Sequence, residues 1–382
     1  GPSELIGVRD GIPGTETLSL GDYRLRHALH KADPDLALAH RKHPWITIFD
    51  DHEVADNTWT DGAGNHTPDV EGSFAARRRD AYRAYLEWMP FRLPDQRTVP
   101  HQGIRFFRRF TFGPLGDLSI VETRQNRSAQ VDVPPFTTRG GGFIPIGDPA
   151  VDAQLADPAR HLLEPEQMAW LKDNTARAGK PWHLVGNQVM LSPLRIPGAL
   201  LGAPAALTMI NSDQWDGYQA DQSALTAHLA GRPAQAGDVV VLTGDIHSSW
   251  AIDLPDSAGV EFVCPSVTSD GFYELVRAQL PAGTPAETAV ATTQGITSTM
   301  TTVNPAVKYL DGLGHGYVLV DVTPDRVQAD YHLTPRPTSA LPDPRIVPAT
   351  RTAYVTSWQT TAGERRLSPA AGPVGPRSDN PG

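Results

Sequence analysis

The chain has 382 residues, of which 40% are hydrophobic and 20% charged, a composition typical of a globular protein with a sizeable core. Its formal net charge of −10 argues against a general binder of nucleic acid or of an anionic membrane. The single cysteine, Cys264, excludes an intrachain disulfide, and no apolar stretch approaches the ~20 residues of a membrane span.

Helices and strands alternate in the first part of the chain. Apolar spacing predicts a helix over residues 22–43, and the aromatic and β-branched run at 44–49 predicts a buried strand. A second helix is predicted over 72–89, with many arginines on its outer face. Two strands follow, at 105–112 and 118–122.

The same alternation continues to the end of the chain. The pattern predicts helices at 164–178 and 221–230, strands at 182–185 and 238–243, and a hairpin of 316–322 with 326–332. Because no linker interrupts this order, we expect one domain over residues 1–362. The Pro- and Gly-rich residues 363–382 are expected to form a flexible tail.

Potential metal ligands follow two of the predicted strands at the points where they end. Asp50-Asp51-His52-Glu53, with Asn57 beyond it, follows the first, and Gly244-Asp245-Ile246-His247 follows the second. Oxygen ligands suit hard cations such as Ca²⁺, and imidazole adds affinity for iron, zinc or manganese. Two metals ~3.5–4 Å apart could clamp a phosphate ester. The alternative for each motif is a helix cap or a hydrogen-bonded turn.

Other polar residues leave two interpretations open. Arg124 and Arg127 lie just beyond a predicted strand, where an arginine could grip a phosphate or form a salt bridge to Glu122 or a nearby aspartate. His183 and His315 have apolar surroundings, so a structural role is the default for both. The sequence has no Gly-x-Ser-x-Gly elbow, P-loop or dinucleotide fingerprint.

Six blocks, in order along the chain, resemble the PhoD-type alkaline phosphatases, a branch of the calcineurin-like metallophosphoesterases. They are residues 45–54 with Asn57, 108–110 with 122–127, 214–218, 244–250, 261–271 and 315–324. The resemblance implies an α/β fold, an αββα sandwich with two central mixed sheets flanked by helices and with metals at the strand ends.

The resemblance also implies an activity and a set of site residues. It implies hydrolysis of phosphate monoesters or diesters at alkaline pH by a metal-activated water, with Ca²⁺ and Fe³⁺ as cofactors and other divalent metals left open. His52 would protonate the leaving oxygen or hold the phosphate, and Arg124 would contact the substrate. The metal-ligand candidates carried over are Asp51, Asn57, Asp245 and His247.

The chain departs from the family pattern in two ways. Glu122 stands where the family usually has aspartate, and the family's opening metal-binding segments would lie upstream of residue 1. Gly21-Asp22-Tyr23 is expected to belong to a helix instead of to that metal block. The N-terminal part of the fold is therefore expected to be missing, or supplied by a separate chain. The alternative is a non-catalytic relative that binds phosphate or metal through an incomplete site.

The resemblance finally implies where the protein works and on what. Its partners would be small-molecule phosphate esters, with neither nucleic acid nor membrane among them. It would be secreted or periplasmic, although the chain itself opens with no signal peptide.

Overall fold

The computed structural model describes residues 12–89, 91–92, 98–99, 103–347 and 349–375. The helices of this part are α1 (Leu20–Lys31), α2 (Pro34–Lys42), α3 (Pro68–Glu71), α4 (Phe74–Trp88), α5 (Pro149–Leu155), α6 (Pro165–Thr175), α7 (Gln219–Ala230), α8 (Phe272–Gln279) and α9 (Ala286–Val303). None of these helices has both the length and the apolar character needed to span a bilayer.

The strands are short and alternate with the helices. They are β1 (Thr98–Val99), β2 (Gly103–Ile104), β3 (Arg108–Phe112), β4 (Gly116–Ile120), β5 (Phe143–Pro145), β6 (Trp182–Gly186), β7 (Ile196–Pro197), β8 (Thr208–Asn211), β9 (Asp238–Thr243), β10 (Ser249–Asp253), β11 (Val260–Val263), β12 (Val307–Asp311), β13 (Gly316–Val322), β14 (Arg326–Leu333), β15 (Ala353–Thr361) and β16 (Ser368–Pro369). β9 and the β13–β14 hairpin lie close to where the sequence predicts them.

Two sheets form the centre of the molecule. The larger has seven strands in the order β12-β10-β11-β9-β6-β4-β3, and its central strands β4, β6, β9 and β11 are parallel neighbours. The smaller has the order β13-β14-β15-β16. The predicted α/β class with two central sheets is confirmed, with one difference in detail: every pairing in the smaller sheet is antiparallel, so only the larger sheet is mixed.

Strand β9 shows why the core has two sides. Successive side chains of a strand point to opposite faces, so a strand buried on both faces is apolar throughout. Val240 packs in a fully buried cluster with Val327 and Tyr331 of the smaller sheet. Val239 and Val241 pack on the other face, against Leu171 of α6 and Leu225 of α7 and their neighbours. The larger sheet is therefore covered by the second sheet on one side and by helices on the other.

The N-terminal region differs from its prediction in two places. The helix predicted over 22–43 is two helices, because Pro34 begins α2 and the Asp33 side chain accepts hydrogen bonds from the first turn. Residues 44–49 belong to no strand: within the described residues no ladder pairs with them, and an Arg108 guanidinium N–H donates to the Thr47 carbonyl instead. Asp22 completes a capping box with Ser19 at the start of α1, as expected for a helix residue.

Two further predictions are wrong in part. Arg79 and Arg83 of α4 are exposed as predicted, but Arg77 and Arg78 are buried, and Arg78 Nη1 donates to the carbonyls of Thr60 and Gln125. The predicted flexible tail is packed as far as residue 375: β16 pairs with β15, and the Leu367 N–H donates to Asp253. Residues 376–382 of that predicted tail lie outside the described residues.

Candidate metal centre

The topology of the larger sheet brings distant polar segments together. Strands β4, β6 and β9 are parallel neighbours, so the segments that follow them meet at one edge of the sheet. Arg124 follows β4, and Asp245 follows β9, on either side of β6. The 50–57 segment lies against the same edge, because Arg124 bonds to both Asp50 and Asp245.

Two groups of possible metal ligands result. The first group contains one carboxylate oxygen from each of Asp50, Asp51 and Asp245, and these oxygens all lie within 4.8 Å of one another. The second group contains Asp51, His52 and Asp56, whose ligand atoms are equally close. We call the first group, together with Asp213, the carboxylate cluster. Asp51 and Asp213 are buried, whereas Asp50 and Asp245 are partly exposed. The cluster is therefore open to solvent on one side.

Arg124 lies in the middle of the carboxylate cluster. Its side chain is completely buried, and its guanidinium donates to Asp50, to Asp213 at 2.9 Å and to Asp245 at 2.6 Å. Of the two roles that the sequence leaves open, this geometry favours the salt bridge. The partners are three aspartates instead of Glu122, whose Oε1 accepts from the Arg124 backbone N–H. The predicted contact between Arg124 and substrate does not fit a side chain with no exposed surface.

Asp213 is the cluster member that the motif analysis misses. Its Oδ1 accepts from Arg127 Nη2 at 2.6 Å and from Gln130 Nε2 at 2.8 Å, while its Oδ2 accepts from Arg124. The signal that could have found it is the polar run that follows β8, one residue before the block that begins at Gln214.

The cluster has more acidic than basic side chains, since among the described residues its four carboxyl groups lie within ion-pair distance of two arginines, Arg124 and Arg127, and of the His52 imidazole. Burial raises the pKa of Asp50 well above its ordinary range and also raises the pKa of Asp245, despite the nearby Arg124. Burial opposes ionisation of Asp213 too, but Arg124 and Arg127 outweigh it and hold the pKa at about 2. A site with acidic oxygens and a deficit of positive charge fits a hard cation.

The side chain of Asn57 is oriented for a ligand role. Its Nδ2 donates to the Gly140 carbonyl at 2.8 Å, and its backbone N–H donates to Asp51 Oδ2 at 2.9 Å. The amide oxygen is then the atom left to meet a cation. Gly140 has to be glycine, because its φ is 78° and a Cβ there would lie 2.7 Å from the Gly64 Cα.

His247 is oriented in a comparable way. Its Nδ1 lies 2.8 Å from the Asp270 carbonyl oxygen, which fixes Nε2 as the atom available to a metal. Arg345 holds that loop by donating to Asp270 Oδ1 at 2.7 Å and to the Thr268 carbonyl at 2.8 Å. His247 itself belongs to neither ligand group, so the structure brings together Asp51 and Asp245 but not His247 with them.

The backbone around the centre is strained. Asn57, Asp245 and His247 have φ values of 49°, 64° and 52°, in the left-handed region that non-glycine residues rarely adopt. Such conformations persist only where the surrounding structure enforces them, and they concentrate at functional sites. Three of the four predicted metal ligands thus share this feature.

The other polar residues considered in the sequence have structural roles. His315 lies between Glu274 and Ser266, and His183 bonds to the Arg177 carbonyl. These are the structural roles expected for both histidines.

Glu122 gives a prediction for the pH dependence of stability. Burial raises its pKa to about 7, above the ordinary 4.5, although its Oε1 accepts two backbone N–H groups. The folded state therefore holds this proton more tightly than the unfolded state, and the free energy of unfolding falls as pH rises from 4.5 to 7. This pKa difference lowers the free energy of unfolding by at most roughly 3 kcal/mol.

Because Glu122→Gln removes the buried charge, we expect the variant to match the wild type at pH 5 and to exceed it at pH 8 by about 1–3 kcal/mol. Chemical denaturation at both pH values measures the difference. Glu287→Gln is the control: Ser339 hydrogen bonds lower the pKa of this exposed carboxyl, so no gain at pH 8 is expected. A Glu122→Gln variant less stable than the wild type at pH 8 would contradict the raised pKa of Glu122.

Comparison with known proteins agrees with this fold. A family model described as PhoD-like phosphatase matches residues 5–331. The chain therefore belongs to the PhoD-like phosphatase family. It is 30% identical over 379 residues to alkaline phosphatase D of Bacillus subtilis (strain 168), a match that covers 96% of this chain and 57% of that protein.

A solved structure, "Structure of PhoD", has the same fold, with a TM-score of 0.74 and 26% identity. That match covers 97% of this chain and 63% of the solved one. The chain thus spans less than two thirds of either relative.

Proposed function

We propose that the protein is a metal-dependent phosphatase that hydrolyses phosphate monoesters, diesters or both at alkaline pH with a metal-activated water. Family membership supports the phosphatase class. The observation that carries the metal dependence is the carboxylate cluster itself, in which acidic side chains from three separate segments meet with too few positive charges.

Asp50, Asp51 and Asp245 would hold one cation through their adjacent oxygens, with the amide oxygen of Asn57 as a further ligand. Nε2 of His247, which lies outside this group, would be available to a second metal. When bound, the metals would polarise the phosphoryl oxygens and lower the pKa of a water molecule. Arg124 and Arg127 hold the carboxyl groups in position through hydrogen bonds and keep the pKa of Asp213 low. The identity of the metals as Ca²⁺ and Fe³⁺ and the export of the protein from the cell belong to the same proposal and rest on family resemblance.

His52 would act on the substrate at the open side of the cluster. Its side chain is 71% exposed, and its Nε2 lies 3.7 Å from Asp51 Oδ2 and 3.6 Å from Asp56 Oδ1. The two carboxylates flank the imidazole and would orient it toward a bound phosphate ester, where it would serve as the proton donor to the leaving oxygen. Holding the phosphate is the other role that this position allows.

His52→Ala is expected to distinguish these roles. If His52 is the proton donor, kcat should fall by about 10²–10⁴-fold for an alkyl phosphate, which leaves as a strong base, and much less for a nitrophenyl phosphate. Steady-state kinetics with both substrates measures the ratio. His43→Ala, at another exposed histidine, is the control and should change neither rate. Equal losses on the two substrates would assign His52 to phosphate holding instead.

The function itself is tested by metal analysis and hydrolysis on one sample. We expect the intact protein to contain bound metal and to hydrolyse a chromogenic monoester or diester, with activity lost in chelator and restored when metal is returned. A well-folded, metal-loaded protein that binds phosphate without turnover would support the non-catalytic alternative. Turnover unaffected by chelator would exclude the metal-dependent reaction.

A further inference from the structure

A cavity lined in part by charged side chains lies at the opposite edge of the larger sheet. Its volume is about 700 Å³, and it is lined by residues at the start of β6 and β9, among them Lys180 and Asp238. The candidate metal centre follows the other end of β9. β9 has six residues, and each adds about 3.3 Å to the length of the strand. The two sites at its ends therefore lie roughly 20 Å apart. The cavity is therefore separate from the carboxylate cluster.

Arg232 is the residue of this cavity with unmet bonding capacity. It is only 6% exposed, and its Nη2 donates to the carbonyls of Ala236 and Gly237. Among the described residues, neither Nε nor Nη1 has a hydrogen-bond acceptor; Nε is itself buried, so Nη1 is the group that an anion in the cavity can reach. No described carboxylate lies within 4.0 Å of this guanidinium. A buried charge in this condition is costly unless a counter-charge reaches it.

The other two cations of the cavity already have partners. Lys180 Nζ lies 2.7 Å from Asp117 Oδ1, and Arg365 Nε lies 3.0 Å from Asp238 Oδ1. Within each of these two ion pairs the charges cancel, so Arg232 carries the unpaired positive charge of the cavity. Burial and the neighbouring Arg365 lower the pKa of Arg232 to about 10, which agrees with a guanidinium that has no close counter-ion.

We propose that this cavity binds a small oxyanion, of the chemical class of phosphate and carboxylates, through Arg232. The Nη1 N–H groups of this guanidinium can donate to the oxygens of such an anion, and the low exposure of Arg232 strengthens the charge-assisted bond. The site stands out because the chain carries a net charge of −10, which would repel anions from most of its surface. The proposal is independent of the phosphatase assignment.

The test is calorimetric titration of the whole chain with inorganic phosphate and, separately, with citrate. The protein is first dialysed free of metal and chelator and carries Asp245→Asn, so that the candidate metal centre contributes little. We expect saturable binding of at least one of the two anions, and the tighter one tells whether phosphate or a carboxylate is the better ligand. Arg232→Gln should weaken that binding about tenfold or more.

Two further variants make the result decisive. Lys180→Gln, at a side chain that is 20% exposed, should weaken binding by about threefold through the lost charge. Arg108→Gln is the matched control: Arg108 is also buried and bonded to backbone carbonyls, but it lies over the Phe91 ring and not in the cavity. It should bind the anion like the parent. Absence of saturable binding at millimolar anion, or unchanged affinity in both cavity variants, would overturn the proposal.

Discussion

Asp245→Asn is expected to reduce kcat/KM for phosphate esters by about 10²–10³-fold and to lower the bound metal content of the intact protein. Both oxygens of Asp245 accept hydrogen bonds, Oδ1 from Arg124 Nη2 and Oδ2 from Gln214 Nε2. Asparagine has the same size but presents an NH₂ group to one of these donors. The substitution therefore removes a negative charge and brings the new NH₂ group into contact with another hydrogen-bond donor, either Arg124 Nη2 or Gln214 Nε2.

Asp216→Asn is the matched control for this experiment. Asp216 is also buried and also accepts hydrogen bonds, from the Leu194 N–H and from Gln222, but it lies outside the carboxylate cluster. Burial raises its pKa to about 6, so loss of its charge should be tolerated. We expect near-wild-type metal content and activity. If Asp245→Asn kept both as well, the proposed metal centre would be wrong.

Arg124→Ala is expected to destabilise the metal-free protein by about 3–5 kcal/mol, the effect of removing one partner from a buried ion pair. The variant leaves the carboxylates of Asp50, Asp213 and Asp245 without their shared counter-charge. Added metal should recover part of the lost stability, because it supplies positive charge to the same oxygens. Denaturant unfolding with and without metal measures both effects.

The control is Arg79→Ala, which removes an arginine with a 71% exposed side chain whose ion-pair partner is its neighbour Asp80. Surface pairs of this kind contribute about 0–1 kcal/mol, so little change is expected. The comparison separates two roles for Arg124. If the variant were as stable as the wild type but had a much higher KM, Arg124 would be a substrate contact, as the sequence analysis predicts, and not the counter-charge of the cluster.

Part of the centre can be predicted from local sequence. Asp51 and Asp245 stand out because each belongs to a polar run just after a hydrophobic one, and β9 places Asp245 at the end of a buried strand. The 44–49 run has the same composition as a strand but has no pairing partner in the described chain, so composition alone misassigns it. Asp213 escapes notice because β8 is a short strand of four residues with little pattern of its own.

The sequence by itself determined the α/β class, the β13–β14 hairpin, the buried strand β9 and the two polar runs, because each depends on neighbours along the chain. Only the tertiary structure decided which charges meet. Arg124 bonds to Asp50, Asp213 and Asp245, which lie 74, 89 and 121 residues away from it in sequence. Whether an arginine grips a substrate or neutralises buried carboxylates depends on solvent access and on the charges around it. Those are properties of the packed sheet edge, where segments far apart in sequence share one small volume.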